Sequence, residues 1–293
     1  MESTRSVSIR PRQRRAAAQG EAIRAEFAAS DGDRDNMPPE PGIDRQFATN
    51  LARGLQVLRA FTPAEPMLGN RELVDRTGLP KATVSRLTYT LTFLGYLVRV
   101  DRFQKYRLGA GVLTLGYPLL ASLRVRQLAR PAMERIAAET GCTVNLGMRD
   151  GLSVVFVDTF RIDRSNLYQP DIGSTRPLLS TSVGRALVLV MPPQQRLALL
   201  NRQKVADPAG FERDHTRLEV DEKNLRERGF CHSRGDWRRE IHGVSVPIRR
   251  HEEGFALNCT MSTFRLRERF LEDEVAPRLI ETVHEIELAL GLP

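Results

Sequence analysis

The feature that most constrains the fold of this chain is a short turn, Thr77-Gly78-Leu79-Pro80, between two stretches of helical periodicity. Asn70 can cap a short helix over 71–76 before the turn, and helical spacing predicts a longer helix over 81–94 after it. Gly78 suits the left-handed conformation of a helix exit. The apolar stripe of the longer helix consists of Val84, Leu87, Leu91 and Leu94. Two helices joined by so tight a turn are typical of a helix-turn-helix.

The flanking residues complete a small domain. A first helix is predicted over 51–61, with Asn50 as its N-cap. Its apolar stripe consists of Leu51, Leu55, Leu58 and Phe61. Beyond the third helix, 96–100 and 105–108 alternate like the two strands of a hairpin. Three helices followed by a β-hairpin predict a winged helix-turn-helix over residues 45–109.

The net charge of +8 is concentrated in the same part of the chain. Residues 45–108 hold eleven Lys and Arg against four Asp and Glu, whereas 109–293 hold 26 basic against 24 acidic residues. A locally basic segment attracts a polyanion, because neutralised phosphates release condensed counterions. The charge alone is equally compatible with a solvated basic surface that has no partner.

Donor side chains lie where a winged helix-turn-helix contacts DNA. The outward face of the third helix and the wing together carry eight candidate DNA-binding residues: Lys81, Thr83, Ser85, Arg86, Tyr89, Arg99, Arg102 and Lys105. Side chains of this kind reach base edges in the major groove from the helix, and phosphates or the minor groove from the wing. The alternative is a small structural domain with a polar face. Fold pattern, turn and charge agree on one segment, so the sequence predicts binding to double-stranded DNA.

The chain before and after this domain has a different character. Residues 1–44 contain a basic patch, small and acidic residues and a proline-rich end, and we expect a disordered tail. Residues 110–122 are predicted to form an apolar linker helix, kinked at Pro118, which pairs with its twin in a dimer or packs on its own domain.

Residues 123–293 alternate strands and helices in a pattern that predicts an α+β fold, an antiparallel sheet with helices on it. The predicted helices cover 125–140, 181–190, a short stretch from Pro193, 214–228 and 266–290. The predicted strands cover 142–148, 153–160, 244–248 and 255–261, with a further extended piece at 166–171.

Other classes of protein receive little support. The three cysteines, Cys142, Cys231 and Cys259, are far apart and lack CxxC spacing, which disfavours a disulfide framework or a zinc site and favours a reducing cytoplasm. No nucleophile motif appears, so we expect neither an enzyme nor a cofactor. Four histidines, His215, His232, His242 and His251, fit no standard metal-ligand spacing. No apolar run is long enough for a membrane span.

Several motifs, in this order and spacing, resemble the IclR family of bacterial transcription regulators over residues 45–293. In the first domain the matching segments are 51–58, 72–79, 82–87 and 94–96, and 115–117 follows them in the chain. In the second domain the matching segments are 181–187, 244–247 and 256–260. The resemblance implies a GAF-like effector domain, a homodimer or tetramer on operator DNA, and a small organic acid as effector. Aromatic acids and related catabolic intermediates are common effectors in this family, so the resemblance predicts control of a catabolic operon. An architectural DNA-binding protein is the alternative, but it has no need of a large, nearly neutral second domain.

The resemblance also implies where the effector binds. The family's small residues at a helix start correspond to Ser182 and Val183, whose free N–H groups suit an anionic oxygen. A polar pair on a strand corresponds to Asn258 and Thr260, with Cys259 facing the other side. Gly243 and Ser245 lie on the adjacent strand.

The stretch 231–240 departs from the family pattern. Arg234 stands near a position where the family commonly has an acidic residue, and we expect it to clamp a ligand carboxylate, unless it is a surface arginine. Trp237, the only tryptophan, is a candidate for stacking on an aromatic ligand, unless it belongs to the core or to a lid.

Overall fold

A computed structural model describes residues 47–162, 170–249 and 254–291. The chain divides after Ser122 into two compact units, which are described separately. The predicted tail at 1–44 and most of the extended piece at 166–171 lie outside the described residues.

The first unit is a winged helix-turn-helix. Its elements, in chain order, are α1 (Thr49–Arg59), α2 (Asn70–Thr77), α3 (Lys81–Phe93), β1 (Leu97–Val100), β2 (Lys105–Leu108) and α4 (Ala110–Ser122). The two strands pair antiparallel, from Leu97 opposite Leu108 to Val100 opposite Lys105. Side chains from all three first helices meet in one core, which contains Val57, Leu73, Leu79, Val84, Leu91 and Leu97.

The turn between α2 and α3 has the geometry that its sequence predicts. Gly78 ends α2 with φ of 64°, a left-handed conformation that glycine adopts without strain. At the other end of α2, the Glu72 carboxylate accepts a hydrogen bond of 2.7 Å from the Gly69 backbone N–H. Both ends of α2 are therefore fixed, which sets the direction in which α3 leaves the turn.

The prediction for the first helix is wrong in two respects. The helix begins at Thr49, because the Ala48 carbonyl accepts the first hydrogen bonds, so Asn50 is not the N-cap. Its buried face contains Ala52, Gln56 and Val57, whereas Leu51 and Leu55 are 64% and 43% exposed. Gln56 is tolerated in the core because its amide donates to the Thr77 carbonyl at 3.1 Å, a bond that hydrophobic periodicity does not reveal.

Two apolar surfaces of the first unit are exposed among the described residues. Leu94, predicted to be buried at the end of the third helix, is 57% exposed because α3 ends one residue earlier. Helix α4 contains no buried residue, and its exposed apolar side chains are Leu113, Leu115, Tyr117 and Leu119. Pro118 lies inside this helix. The linker helix therefore presents an apolar surface along most of its length.

The second unit is α+β, as predicted. In chain order it contains α5 (Arg124–Thr140), β3 (Thr143–Asp150), β4 (Ser153–Phe160), β5 (Thr175–Pro177), α6 (Ser182–Leu189), α7 (Pro193–Ala206), α8 (Pro208–Arg228), β6 (Cys231–Arg234), β7 (Ile241–Ile248), β8 (Phe255–Ser262) and α9 (Ala276–Ala289). The six strands form one antiparallel sheet in the order β5-β4-β3-β8-β7-β6.

Three sequence predictions for the second unit need correction. Strands β5 and β6 were not predicted, because three and four residues are too few to show alternation. Helix α7 is not short and spans 14 residues. The final helix does not begin at Leu266: Arg269 has a left-handed φ of 56°, and a π-helical turn at Leu271–Val275 precedes α9.

Apolar side chains of α6, α7 and α8 pack on one region of the sheet, where Val154, Phe156, Val183, Leu187, Leu218 and Ala256 belong to one buried cluster. Helix α6 lies against β7 and β8 with seven of its eight residues buried. The N-terminus of α6 is thus fixed above the middle of the sheet. Among the described residues, no helix has the length and apolar character needed to cross a membrane.

Candidate functional site

Helix α3 presents a row of exposed residues opposite its buried face. Val84, Thr88 and Leu91 are buried, and Lys81, Ser85, Arg86 and Tyr89 are exposed, with Tyr89 at 74%. Thr83 is half-buried and borders an apolar groove together with Arg86. Ala82 and Phe93, which the sequence analysis did not single out, complete the exposed row. The helix is held by its core face and is free on the side that a DNA groove requires.

The wing carries the three predicted basic residues in different environments. Arg102 is exposed at the tip, and Arg99 contacts Asp101 and Gln104 within the wing. Lys105 instead pairs with Glu72 at 2.6 Å, and this hydrogen bond lowers the pKa of Glu72. Lys105 therefore joins the wing to α2 through Glu72, and its ammonium group is already paired before any contact with a DNA phosphate. Phe103 at the tip, which the sequence analysis missed, is 52% exposed.

The second unit contains a pocket between the N-terminus of α6, the sheet and the loop 235–240. It encloses about 500 Å³ of space not filled by protein atoms, part of which is open to solvent at its mouth. Six of the eight predicted effector residues line it: Ser182, Val183, Trp237, Gly243, Asn258 and Thr260. A Cβ on Gly243 would lie 3.0 Å from Thr260 Cγ2, so glycine keeps this wall open.

The floor of the pocket is a polar row that crosses four strands. Ser245, Asn258, Asn145 and Thr159 stand opposite one another in the registers of β7, β8, β3 and β4. Asn145 Nδ2 donates to Asn258 Oδ1 at 3.1 Å, Asn258 Nδ2 donates to Ser245 Oγ at 2.9 Å, and Thr159 Oγ1 donates to Asn145 Oδ1 at 2.8 Å.

Ser245 is fully buried beneath the pocket and lies 2.8 Å from Ser182 Oγ, so it supports the lining rather than forming it. Asn258 and Thr260 line the pocket while Cys259, between them, does not, as strand alternation requires. The floor is therefore a fixed set of hydrogen-bonding groups joined to the start of α6.

One arginine enters this pocket, and it was not predicted. Arg176 on β5 is half-buried, with its Cζ 4.6 Å from the Trp237 ring centroid and 5.7 Å from that of Phe156. Its only hydrogen bond within the described residues goes to the Thr175 carbonyl, and no described carboxylate forms an ion pair with it or lines the pocket. Burial and the nearby charge of Arg238 both lower the pKa of Arg176.

The predicted clamp, Arg234, lies outside the pocket. Strand β6 directs Ser233 into the pocket, so its neighbours His232 and Arg234 face away from it. The Arg234 side chain is 65% exposed and pairs with Glu272 at 2.7 Å. The pocket is lined by Arg176 and not by Arg234, and the sequence did not indicate Arg176 because its edge strand is too short to be recognised.

The cysteines and histidines form no reactive centre within the described residues. Burial raises the pKa of all three thiols, Cys142, Cys231 and Cys259, which keeps them protonated and weakly nucleophilic. No group of three potential metal ligands occurs among the described residues, and His251 lies outside them.

His232 is a titratable group beside the pocket whose pKa is strongly lowered. Burial lowers its pKa to about 4, although Glu272, whose carboxylate is 3.4 Å from His232 Nε2, opposes this. Arg234, His242 and Asp236 also face it. Burial alone would raise the pKa of Glu272, but the hydrogen bond from Arg234 and the charge of His232 lower it.

We therefore expect stability to fall on acidification. The folded protein keeps His232 neutral down to about pH 4, whereas the unfolded chain binds this proton below about 6.5, so the stabilisation present above pH 6.5 is lost as pH falls towards 4. His232→Asn should reduce the slope of Tm against pH in this window, by at most the equivalent of about 1.4 kcal/mol per pH unit. The control for removing a histidine is His215→Gln, at a half-exposed position of α8 outside the pocket. Equal slopes for His232→Asn and wild type would contradict this assignment.

A winged helix-turn-helix with an exposed basic face, followed in the chain by an α+β unit with a ligand-sized pocket, defines a DNA-binding transcriptional regulator. The chain belongs to the IclR family: residues 118–288 match the model described as "Bacterial transcriptional regulator IclR C-terminal", and residues 50–101 match the "IclR helix-turn-helix domain". This confirms the resemblance seen in the sequence. It also confirms the expectation of a regulator, since this is a family of transcriptional regulators and not of enzymes.

Individual relatives agree with this assignment. The chain is 40% identical to an IclR family transcriptional regulator from Brucella abortus, whose crystal structure matches with a TM-score of 0.76 over 87% of this chain and 97% of that one. It is 37% identical over 201 residues to the HTH-type transcriptional regulator TsaQ1/TsaQ2 of Comamonas testosteroni, covering 67% of this chain and 71% of the relative. It is 27% identical to the p-hydroxybenzoate hydroxylase transcriptional activator of Acinetobacter baylyi, covering 82% and 91% of the two chains.

Proposed function

We propose that this protein is a cytoplasmic, homodimeric regulator of a catabolic operon, and that its DNA binding responds to a small aromatic carboxylate. In this proposal residues 45–109 bind operator DNA, 110–122 form the linker helix, and 123–293 bind the effector. The observation that carries it is Arg176: a half-buried guanidinium that pairs with no carboxylate among the described residues, stacked on Trp237 in a pocket with apolar walls.

The chemistry of the pocket favours an aromatic anion. A guanidinium removed from water without a counter-ion is unfavourable, and a bound carboxylate offsets this through two parallel hydrogen bonds. Phe156, Trp237 and Ile241 supply flat and apolar walls for a ring, and Asn145, Asn258 and Thr260 supply fixed polar groups below it. Benzoates with a ring hydroxyl combine these features. The Acinetobacter relative, named as activator of p-hydroxybenzoate hydroxylase, supports the same class.

The effector half of the proposal is tested by thermal shift against benzoate, 4-hydroxybenzoate, protocatechuate, phthalate and phenylacetate, with cyclohexanecarboxylate and phenol as controls. A true effector at about 100 times its Kd stabilises the folded state by about 2.7 kcal/mol, and we expect this only for aromatic acids. Phenol lacks the carboxylate and cyclohexanecarboxylate lacks the flat ring. Equal stabilisation by the controls, or none by any aromatic acid, would contradict the proposed effector class.

For DNA, we propose that α3 reads bases in the major groove and that the wing contacts the backbone or the adjacent minor groove. Lys81, Ser85, Arg86 and Tyr89 are exposed for base or phosphate contacts, with Thr83 at the edge of this face. On the wing, Arg102 and Arg99 remain available to DNA, whereas Lys105 acts mainly through its bond to Glu72.

Arg86→Ala is expected to remove most discrimination between operator and unrelated DNA. A bidentate side chain–base contact contributes about 1–3 kcal/mol of discrimination, so the affinity ratio should fall roughly 5- to 150-fold. The operator is first selected from a random duplex library with the wild type, and both affinities are then measured by fluorescence anisotropy. The control is Arg107→Ala, an exposed wing residue outside the proposed contact set. An unchanged ratio for Arg86→Ala would remove this residue from base reading.

We also propose that the uncovered apolar surfaces of the first unit form the dimer contact. Leu51, Leu55, Leu94 and Leu115 border one groove, and Leu113, also on α4, is 72% exposed. Exposed apolar side chains grouped in this way often mark a protein–protein contact. Leu113→Glu is expected to shift the protein from dimer to monomer in sedimentation equilibrium, whereas Thr114→Glu should not. A wild type that sediments as a monomer would contradict the dimer.

Regulation then follows from a difference in affinity. An effector shifts a regulator between a DNA-binding arrangement and a non-binding one only by as much as it binds one better than the other. We propose that a ligand that pulls Arg176 and Trp237 together favours one of these arrangements.

A further inference from the structure

The loop between β6 and β7 forms one wall of the pocket through a single side chain, Trp237. It starts at Gly235, whose φ of 80° is left-handed and where a Cβ would lie 2.9 Å from the Arg239 carbonyl oxygen. It ends where the Ile241 N–H donates to the Arg238 carbonyl at 3.0 Å. These local contacts fix the shape of the turn but do not attach it to the rest of the unit.

Asp236, the residue before Trp237, attaches this end of the loop, and at the other end the Glu240 carbonyl accepts from the Thr263 N–H at 2.9 Å. Asp236 Oδ2 accepts a hydrogen bond of 2.8 Å from Arg185 Nη2, and its Oδ1 lies 3.5 Å from Arg217 Nε. The Asp236 backbone carbonyl also accepts from Arg217 Nη1 at 3.3 Å. One carboxylate thus joins the loop to α6 and to α8.

Arg185 connects this carboxylate to the other borders of the pocket. Its side chain is 1% exposed, and it donates to Asp221 at 2.7 Å, to the Leu179 carbonyl at 3.0 Å and to the His232 carbonyl at 2.7 Å. Leu179 precedes the start of α6, and His232 is adjacent to Ser233, which lines the pocket. A fully hydrogen-bonded buried arginine of this kind holds its partners in one arrangement.

A second chain of bonds runs from the same carboxylate to the start of α6. Arg217 Nη1 donates to Asp214 at 3.0 Å, and the Asp214 carboxylate accepts from Ser180 Oγ at 2.5 Å. Ser180 precedes Thr181, another pocket residue and the N-cap of α6. Both the loop and the start of α6 are therefore tied to this ion network.

The loop needs such an attachment because it carries a positive charge, that of Arg238, close to the positive charge of Arg176. Arg238 stacks on Trp237 at 4.6 Å, the same distance at which Arg176 stacks on this ring. Two guanidinium groups on one indole repel each other, and the charge of Arg238 contributes to the lowered pKa of Arg176. This repulsion acts between the loop and β5.

We propose that Asp236 is the positioning residue of the effector pocket: its bonds to Arg185 and Arg217 hold Trp237 over Arg176 against this repulsion, which an effector carboxylate bound to Arg176 would reduce. The inference rests on the proposed function for the identity of the ligand, but not for the position of Trp237. Asp236 and the effector oppose the same repulsion, so each should favour the arrangement that the other stabilises.

The test uses Trp237 as its own reporter, since it is the only tryptophan in the chain. In ligand-free protein, Asp236→Asn should shift tryptophan emission to longer wavelength and increase quenching by acrylamide. Arg217→Met removes one of the two arginines and leaves the buried Arg185–Asp221 pair in place, so it should give a smaller change in the same direction. The matched control is Glu222→Gln on α8, which breaks a half-exposed ion pair with Arg196 of α7. Its tryptophan emission and quenching should match those of the wild type. Circular dichroism verifies that each variant is folded.

A second measurement adds the ligand. Asp236→Asn should weaken binding of 4-hydroxybenzoate, or of the tightest aromatic acid found, by about tenfold or more, the effect of losing a hydrogen bond to a charged group. Folded Asp236→Asn and Arg217→Met proteins with wild-type emission and quenching would overturn the positioning role. If no aromatic acid binds the wild type, the proposed effector class fails, and the quenching of Asp236→Asn still decides whether Asp236 positions Trp237.

Discussion

Arg176→Met is expected to weaken binding of the effector carboxylate by about 30-fold or more, and to abolish the effector's influence on DNA binding. Removing one partner of a buried charge pair typically costs 2–5 kcal/mol, and methionine keeps the apolar contact with Trp237 while deleting the charge. The folded state should not suffer, because Arg176 forms no ion pair with a described carboxylate and its guanidinium is partly desolvated. Isothermal titration of the wild type and the variant with the tightest aromatic acid gives both dissociation constants.

Arg234→Met is the matched control for this experiment. It removes the arginine that the sequence suggested as the carboxylate clamp, which lies outside the pocket and pairs with Glu272. Its effector affinity should stay within about threefold of wild type, by the usual size of surface effects. If Arg234→Met loses binding and Arg176→Met does not, the carboxylate site lies at the position first expected from the sequence and the present assignment is wrong.

Gly184→Ala should destabilise the second unit and disrupt the pocket at the same time. A Cβ at this position would stand 1.8 Å from the Leu178 carbonyl oxygen and 2.6 Å from its carbon, both backbone atoms that cannot rotate away. Helix α6 must move outward, and overpacking of this kind costs about 1–3 kcal/mol or more. For a unit of this size we expect Tm to fall by roughly 3–10 °C in differential scanning calorimetry.

The comparison variant for Gly184→Ala is Gly116→Ala. Gly116 also lies within a helix, but a Cβ there meets no atom within 4 Å, so Tm should stay the same or rise slightly. Because Ser182 and Val183 move with α6, Gly184→Ala should also bind the effector less tightly. A wild-type Tm for this variant would mean that the packing of α6 against Leu178 is looser than described.

Local patterns were sufficient to predict most of the architecture. Gly78 predicted the turn of the helix-turn-helix because only a left-handed residue ends α2 in this way. Strand alternation also predicted that Asn258 and Thr260 face one side and Cys259 the other. These properties depend on neighbours within a few residues, where sequence is most informative.

What could not be predicted depends on contacts between distant parts of the chain. The polar floor requires Asn145 to stand opposite Asn258, a pairing set by the order of strands and not by either strand alone. Arg176 reaches the pocket because β5 adds to the edge of β4, yet its three residues show no period. Gln56 belongs to the core only because the Thr77 carbonyl, 21 residues away, needs a donor.

In the proposed mechanism, an aromatic acid bound at Arg176 changes the affinity of the protein for its operator. The most direct measurement is fluorescence anisotropy of the selected operator duplex with wild type and Arg176→Met, each with and without saturating acid at one fixed salt concentration. We predict that the acid changes the wild-type Kd by about 5- to 150-fold, the usual range of coupling between two sites, and leaves that of Arg176→Met unchanged. An identical wild-type Kd for the operator with and without a bound acid would contradict this coupling between the effector site and DNA binding.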